Sequence, residues 1–221
     1  MFGDNPKRPA LKGDGNILEV QEIFATLQGE GLYAGWPSVF IRLGGCNLAC
    51  NFCDTEFESY KQIELTEIIK GTQALASNGN IQLVVITGGE PFRQPIEKLC
   101  SQLLENGFMV QIETNGTLYR PIDERVDVVC SPKNTNGKYT PIRPDLLERI
   151  SAFKFIISSS DNNYSGVVEV GQSLYNVPVY VQAMDEYDEA RNAKNLAYTV
   201  DLALTHGYRL SIQLHKLIGV R

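Results

Sequence analysis

Cys46, Cys50 and Cys53 fall within eight positions of "RLGGCNLACNFCDT" (residues 42–55), which holds three of the chain's five cysteines. Disulfides join thiols in pairs and would leave one over. A structural zinc site takes four ligands, and the only histidines, His206 and His215, lie far downstream. The spacing i, i+4, i+7 also fits an apolar helix stripe, because a free cysteine packs as a small hydrophobe. Cys50 and Cys53 also form a CxxC pair of the redox type. Gly44 and Gly45 before the thiols, and Asn47, Asn51 and Asp54 around them, suit a wrapping loop better than a helix. Three thiolates on such a loop suit a [4Fe–4S] cluster with one iron left open. A second stretch able to do chemistry is "TGGEP" (87–91), a glycine turn carrying a carboxylate.

The elements that must carry these residues alternate. "SVFIRL" (38–43) reads as a short strand that delivers the cysteine loop. "LTEIIKGTQALAS" (65–77) places Leu65, Ile68, Ile69, Leu75 and Ala76 at helical spacing. "IQLVVIT" (81–87) is an unbroken apolar run, as in a parallel strand covered on both faces. A helix over 94–107 follows, with Gly107 suited to the position after its last turn. Strands are expected at 108–114, 125–131, 152–158, 176–182 and 208–214. A long helix over roughly 188–206 places Ala190, Ala193, Ala197, Val200 and Leu204 on one side. Each strand ends in polar or glycine-rich residues, and that edge is where parallel α/β folds build sites. Alternating strands and helices imply βαβ units. The expected fold is an α/β partial or modified (β/α) barrel, with about six to seven largely parallel strands. The polar stretch 1–16 reads as an N-terminal tail, and 17–221 as a single domain.

The 221 residues suffice for one buried core. A formal charge of −6 argues against nucleic acid as the main partner, since no broad face would neutralise phosphates. No apolar run approaches the roughly 20 residues that span a bilayer, and the first residues lack the apolar core of a secretory signal. A cytoplasmic protein with reduced thiols is expected.

The spacing Cys-x3-Cys-x2-Cys after a first strand, with a GGE turn at the end of the next, resembles the radical S-adenosylmethionine (SAM) superfamily. Further stretches are similar to one of its families, 7-carboxy-7-deazaguanine synthase. They are "EIFATLQGEGLYAGWPSVFIRLGGCNLACNFCDT" (22–55), "VITGGEP" (85–91), "QIETNGT" (111–117), "SPK" (131–133) and "RLSIQLHK" (209–216). The resemblance spans nearly the whole chain after the tail. It implies ring contraction of 6-carboxy-5,6,7,8-tetrahydropterin to 7-carboxy-7-deazaguanine with loss of ammonia, in 7-deazapurine biosynthesis of the queuosine type. It implies a [4Fe–4S] cluster on Cys46, Cys50 and Cys53, SAM, and Mg²⁺ on Thr55. SAM cleavage at the open iron would give a 5′-deoxyadenosyl radical that takes, and later returns, a substrate hydrogen. An electron donor such as flavodoxin and a homodimer are implied as well.

Residue roles follow from the same resemblance. Leu27, Gln28, Gly29 and Glu30 match the segment that meets the pterin, although as bare sequence they are only a turn. Arg42, on the opposite strand face from Ile41 and Leu43, matches an arginine for the substrate carboxylate; a structural ion pair is the other reading. Thr87, Glu113, Gln213 and His215 are further substrate candidates, with folding roles open for Glu113 and His215. SAM is expected at Phe52, Asp54, Gly88, Gly89, Glu90, Ser131, Pro132, Lys133 and Gln182. No side chain is assigned as catalytic beyond the cofactors. The family's tail often ends "HKYLNIP" where this chain reads "HKLIGVR", so Arg221 stands in place of a substrate-contacting proline. "QAMD" replaces a common QPMD, and 134–150 carries no placed motif. A glycyl-radical-enzyme activase shares the cysteines and GGE but leaves LQGEG, SPK and QxHK unexplained. A zinc-stabilised or electron-carrying protein would not need TGGEP.

Overall fold

A computed structural model describes residues 5–135 and 137–220. The elements run β1 (Ile17–Leu27), β2 (Pro37–Leu43), β3 (Lys61–Glu64), α1 (Leu65–Gly79), β4 (Leu83–Gly88) and α2 (Glu97–Glu105). They continue with β5 (Met109–Thr114), β6 (Asp127–Cys130), the small β7 (Asn134–Thr135) and β8 (Lys138–Tyr139), α3 (Pro144–Leu147) and β9 (Ile150–Ile157). The chain closes with β10 (Val179–Ala183), α4 (Glu189–His206), β11 (Arg209–Ser211) and α5 (Leu214–Ile218).

One sheet of nine strands, in the order β11-β10-β9-β6-β5-β4-β2-β1-β3, forms the frame. Among the described residues, seven of them from β2 to β11 are parallel to their neighbours. Antiparallel β1 and β3 extend the β2 edge. The expectation of a partial or modified (β/α) barrel with about six to seven largely parallel strands holds, in that the sheet is mostly parallel and is not a closed barrel. The sequence reading passed over β1, because "ILEVQEIFATL" mixes polar and apolar residues along an edge where both faces are half covered.

The two faces of the sheet differ. Val39, Ile41, Leu43, Val84, Ile86, Val110, Ile112, Phe153, Phe155 and Ile157 point one way, into the main core. The helices α1, α2 and α4 pack on the same sheet. The alternate residues point the other way, to a concave face: Phe40 and Arg42 on β2, Gln111 and Glu113 on β5, Lys154 and Ile156 on β9. Leu32, in the short turn Gly31–Tyr33, packs on Val129, Ala152 and Tyr180. That turn is pinned by the Tyr33 hydroxyl donating to Asp127 (2.5 Å).

Two expectations need correction. The apolar side foreseen for α4 is not the buried one: Leu204 is 80% exposed, whereas Asn195, Thr199 and Ala203 face inward. Asn195 is buried because its side chain serves the loops that leave β9 and β10. Its carbonyl accepts from the backbone N–H and hydroxyl of Ser159, each at 2.8 Å, and its amide donates to the Met184 carbonyl (3.1 Å). The last strand ends at Ser211 rather than 214, and Gln213 stands at the start of α5.

The sheet curls far enough for the turn after β1 to meet the end of β11. The Leu214 N–H donates to the Gly29 carbonyl (3.1 Å), and the Gly31 N–H to the Ser211 hydroxyl (3.2 Å). Residues 5–12 run back along the cysteine loop. Arg8 N–H donates to the Cys46 carbonyl (2.7 Å), Lys7 bridges Cys46, and Leu11 N–H donates to the Arg93 carbonyl (2.6 Å).

Candidate active site

The parallel strands open their C-terminal ends onto one cavity of about 280 Å³. Two glycine turns form its floor. The turn after β2 and the turn after β4 are zipped together: Gly89 N–H donates to the Leu43 carbonyl (3.2 Å), and Glu90 N–H to the Gly45 carbonyl (3.0 Å). A Cβ on Gly89 would stand 2.1 Å from the Gly45 carbonyl oxygen, and one on Gly88, at φ +145°, 2.2 Å from that of Leu43. Only glycine permits this approach. Behind it, buried Arg93 pairs with Glu19 and donates to the Gly44 carbonyl (2.9 Å), which fixes the start of the cysteine loop.

Cys46, Cys50 and Cys53 all line this cavity, and all are free thiols. Cys46 accepts from Leu48 N–H (3.4 Å) and from the Asn115 amide (3.8 Å). Burial pushes the Cys46 thiol up to about 12 and raises Cys50 and Cys53 as well. Such thiols become thiolates only when a cation compensates them. Among the described residues no three His, Cys, Asp or Glu side chains converge on a single ion. In a [4Fe–4S] cluster each thiolate takes a different iron, and three thiols on one loop suit that arrangement. Lys133 adds a cationic group near Cys50; it donates to the Ser131 carbonyl (2.8 Å) and hydroxyl (2.5 Å), and burial lowers its pKa. Phe52 packs edge-on against Tyr164, at 4.9 Å between centroids, and Tyr164 packs on Tyr139. The segment after SPK therefore buttresses the cysteine loop.

Asp54 and Thr55 also face the cavity, with the Thr55 hydroxyl donating to the Asp54 carboxylate (3.1 Å). They offer oxygen donors of the kind magnesium prefers. Asp54 is tied from outside by Lys216 (3.2 Å), which also pairs with Asp185 (2.7 Å).

Arg42 and Thr87 are register partners on neighbouring strands, and both line the cavity. Arg42 donates through Nε to Glu22 (2.8 Å) and lies over the Phe24 ring at 5.8 Å. An ion pair and a cavity position are thus both true of it. Further along the wall, Glu30 and Glu113 share the ammonium of Lys154, Glu113 at 3.3 Å and Glu30 closer. Burial alone would raise the Glu30 carboxyl, but Lys154 overrides it and holds the group below the usual carboxylate range. Gln213 donates to Glu30 (3.0 Å), and Gln28 to Glu113 (2.9 Å).

Of the other sequence-predicted residues, Leu27, Gly88, Gly89, Ser131, Gln182 and His215 line the same cavity. Gly29, Glu90 and Pro132 stand outside its wall. Gly29 lets the turn pass His215, whose Nδ1 would meet an added Cβ at 2.1 Å. Glu90 is fully buried and accepts from Phe92 N–H (3.0 Å), the Thr114 hydroxyl (2.7 Å) and Asn115 N–H (2.7 Å). It frames the turn and orients Asn115 beside Cys46. Arg221 lies outside the described residues. Sequence reasoning missed Lys154, Asn115 and Asn5, all on the cavity wall. Lys154 had a legible signal, a lone charge inside the apolar run "AFKFII". Asn5 had none.

Comparison with known proteins agrees with this geometry. The radical SAM superfamily model matches residues 40–132. A 7-carboxy-7-deazaguanine synthase from Rickettsia prowazekii is 57% identical over the whole chain and 96% of its own length. The enzyme so named from Rhodospirillum rubrum is 40% identical, with both chains covered in full. The crystal structure of QueE from Escherichia coli is similar with a TM-score of 0.71 and 26% identity, covering 90% of this chain and 95% of that one. The chain belongs to the 7-carboxy-7-deazaguanine synthase family of radical SAM enzymes.

Proposed function

We propose that this chain contracts the ring of 6-carboxy-5,6,7,8-tetrahydropterin to 7-carboxy-7-deazaguanine with loss of ammonia, a step of queuosine-type 7-deazapurine biosynthesis. The observation that carries the reading is that three free thiols, the Arg42–Thr87 pair and the Glu30–Lys154–Glu113 group share one cavity. Its wall thus offers a cluster loop, a cation for a carboxylate and acceptors for ring N–H groups.

In this reading Cys46, Cys50 and Cys53 hold the [4Fe–4S] cluster. Phe52, Asp54, Gly88, Gly89, Ser131, Lys133 and Gln182 hold SAM, with Glu90 and Pro132 acting from behind the wall. When bound, cluster and SAM together supply hydrogen-atom abstraction from the substrate. Arg42 pairs with the 6-carboxylate, and Thr87 lies beside it. Leu27, Gln28, Glu30, Glu113, Gln213 and His215 hold the fused ring, while Gly29 gives His215 room. Thr55, with Asp54 as its neighbour, takes Mg²⁺, and Arg221 is left as a terminal candidate. The walls of the cavity hold the substrate in one pose and keep water from a reactive intermediate. The reading brings with it a flavodoxin-like donor, a homodimer and a cytoplasmic setting.

The test is anaerobic reconstitution with iron and sulfide, followed by dithionite, SAM, Mg²⁺ and the carboxytetrahydropterin. The expected result is the deazapurine acid, identified by mass, together with released ammonia. Formation of deoxyadenosine without deazapurine would point to another radical SAM activity, such as activation of a glycyl-radical enzyme. A chain that binds zinc but assembles no cluster would sink both.

A further inference from the structure

The segment 5–12 is anchored at its far end beside the turn after β4. The Leu11 N–H donates to the Arg93 carbonyl (2.6 Å), the Arg93 guanidinium donates to the Pro9 carbonyl (3.3 Å), and Arg120 donates to the Leu11 carbonyl. From that anchor the segment reaches the cysteine loop at two points. The Arg8 N–H donates to the Cys46 carbonyl (2.7 Å), and the Asn5 amide donates to the Thr55 carbonyl (3.3 Å). One point is the first cysteine and the other lies just beyond the last, so the segment bridges the whole of 46–55.

Among the described residues, the main chain of 46–55 is bonded from outside that span by Arg8 and Asn5 alone. The other bonds onto the span end on side chains: Asn115 on Cys46 and Asn47, Asn47 on Thr117, and Gln213 and Lys216 on Asp54. Within it, the Cys53 N–H donates to the Cys50 carbonyl (3.1 Å). A loop so sparsely bonded loses much conformational entropy when its three thiolates must meet three irons at once. Charge favours the same segment. Burial disfavours the Cys50 thiolate, and Lys133 and Lys7 oppose that penalty. Lys7 is also the residue that bridges Cys46.

We propose that 5–8 is a strap that clamps the cysteine loop around the cluster, with Asn5 and Arg8 as its positioning residues, and that strap and cluster hold each other in place. A strap that favours the closed loop retains the cluster, and by reciprocity the cluster retains the strap by the same factor. The inference needs a cluster on Cys46, Cys50 and Cys53 and is independent of which substrate the enzyme takes.

The test uses the full chain, reconstituted anaerobically, and reads two rates. The first is iron loss to excess chelator, followed by the visible absorbance of the cluster. Arg8→Pro deletes the N–H that holds Cys46. It is expected to lose iron about fivefold faster than wild type or more, as removal of one hydrogen bond implies. Asn5→Ala should act in the same direction. Arg8→Ala keeps the N–H and drops only the surface pair with Glu58, so it should match wild type within about twofold. The second rate is cleavage of wild type after Lys7 by a lysine-specific endoproteinase, measured against cleavage after Lys194 in α4, which reports unfolding of the whole chain. Cluster loading should slow the Lys7 cut about fivefold or more on that scale. Iron loss at the wild-type rate from a folded Arg8→Pro would overturn the proposal. Equal acceleration in Arg8→Ala would do the same, by assigning the effect to the surface pair. Should Arg8→Pro fail to fold, Asn5→Ala and the cleavage rates decide: wild-type iron loss in Asn5→Ala, or a Lys7 cut indifferent to the cluster, overturns it equally.

Discussion

Arg42 carries two relations at once, an ion pair with Glu22 and a place on the cavity wall. Its planar fork can grip a carboxylate through two parallel bonds, which a lysine cannot reproduce. Arg42→Lys is expected to raise the KM for the carboxylated substrate by about tenfold or more, as loss of about 1.5–3 kcal/mol implies, with iron content unchanged. Steady-state kinetics beside an iron assay check this. Glu90 makes a different prediction, for the metal-free chain. Burial lifts its carboxyl to about 7, so the folded state holds a proton that the unfolded state gives up near 4.5. Its stabilising contribution is present below that ordinary value and lost as pH rises through about 7, on the order of 3 kcal/mol in all. Unfolding midpoints should fall between pH 5 and 7, and Glu90→Gln should flatten that slope. The thiols, Arg42 and Thr55 were legible because each sits in a short motif whose spacing places it. Lys154 was harder, because its partners Glu30 and Glu113 lie on a turn and a strand far from it in sequence, which only the fold brings together.

At the level of elements, the parallel strands and the inner face of α1 were readable, whereas the end of the last strand and the inner face of α4 were not. Apolar runs ending in glycine or polar residues placed all seven parallel strands, since burial on both faces leaves a continuous pattern. The same logic misled on α4, where alanines and Leu204 suggested a core stripe. The real inner face is polar because Asn195 satisfies backbone groups of two loops, a demand invisible in the helix's own sequence. Asn195→Leu keeps the branched outline of the side chain but leaves those groups unpaired, and is expected to cost about 2–3 kcal/mol. A fall of about 5–10 °C in thermal midpoint would register it. The paired glycine turns predict a separate outcome. Gly89→Ala drives a Cβ into the Gly45 carbonyl, so the cysteine loop must shift. Iron bound after reconstitution should drop well below wild type, while circular dichroism should still report a folded sheet.

For the whole molecule, cofactor binding and stability are coupled. A ligand held by the folded chain alone stabilises it by about 2.7 kcal/mol at a hundred times its Kd. SAM should therefore raise the melting temperature of the cluster-loaded protein under anaerobic conditions, and should leave a Cys46, Cys50 and Cys53 to Ala triple variant unmoved. The curled sheet has a last consequence. A closed barrel would seal its circumference with a backbone ladder, shielded and indifferent to electrolyte. Here the seam between β1 and the chain's final turn is closed by a few backbone bonds, by Gln213 on Glu30, and by Lys216 spanning Asp54 and Asp185. Lys216 and Asp54 are more than a third exposed, so their attraction is weak and screened. The tightness of the seam thus follows ionic strength, and raising salt should loosen the entrance while the strands stay paired.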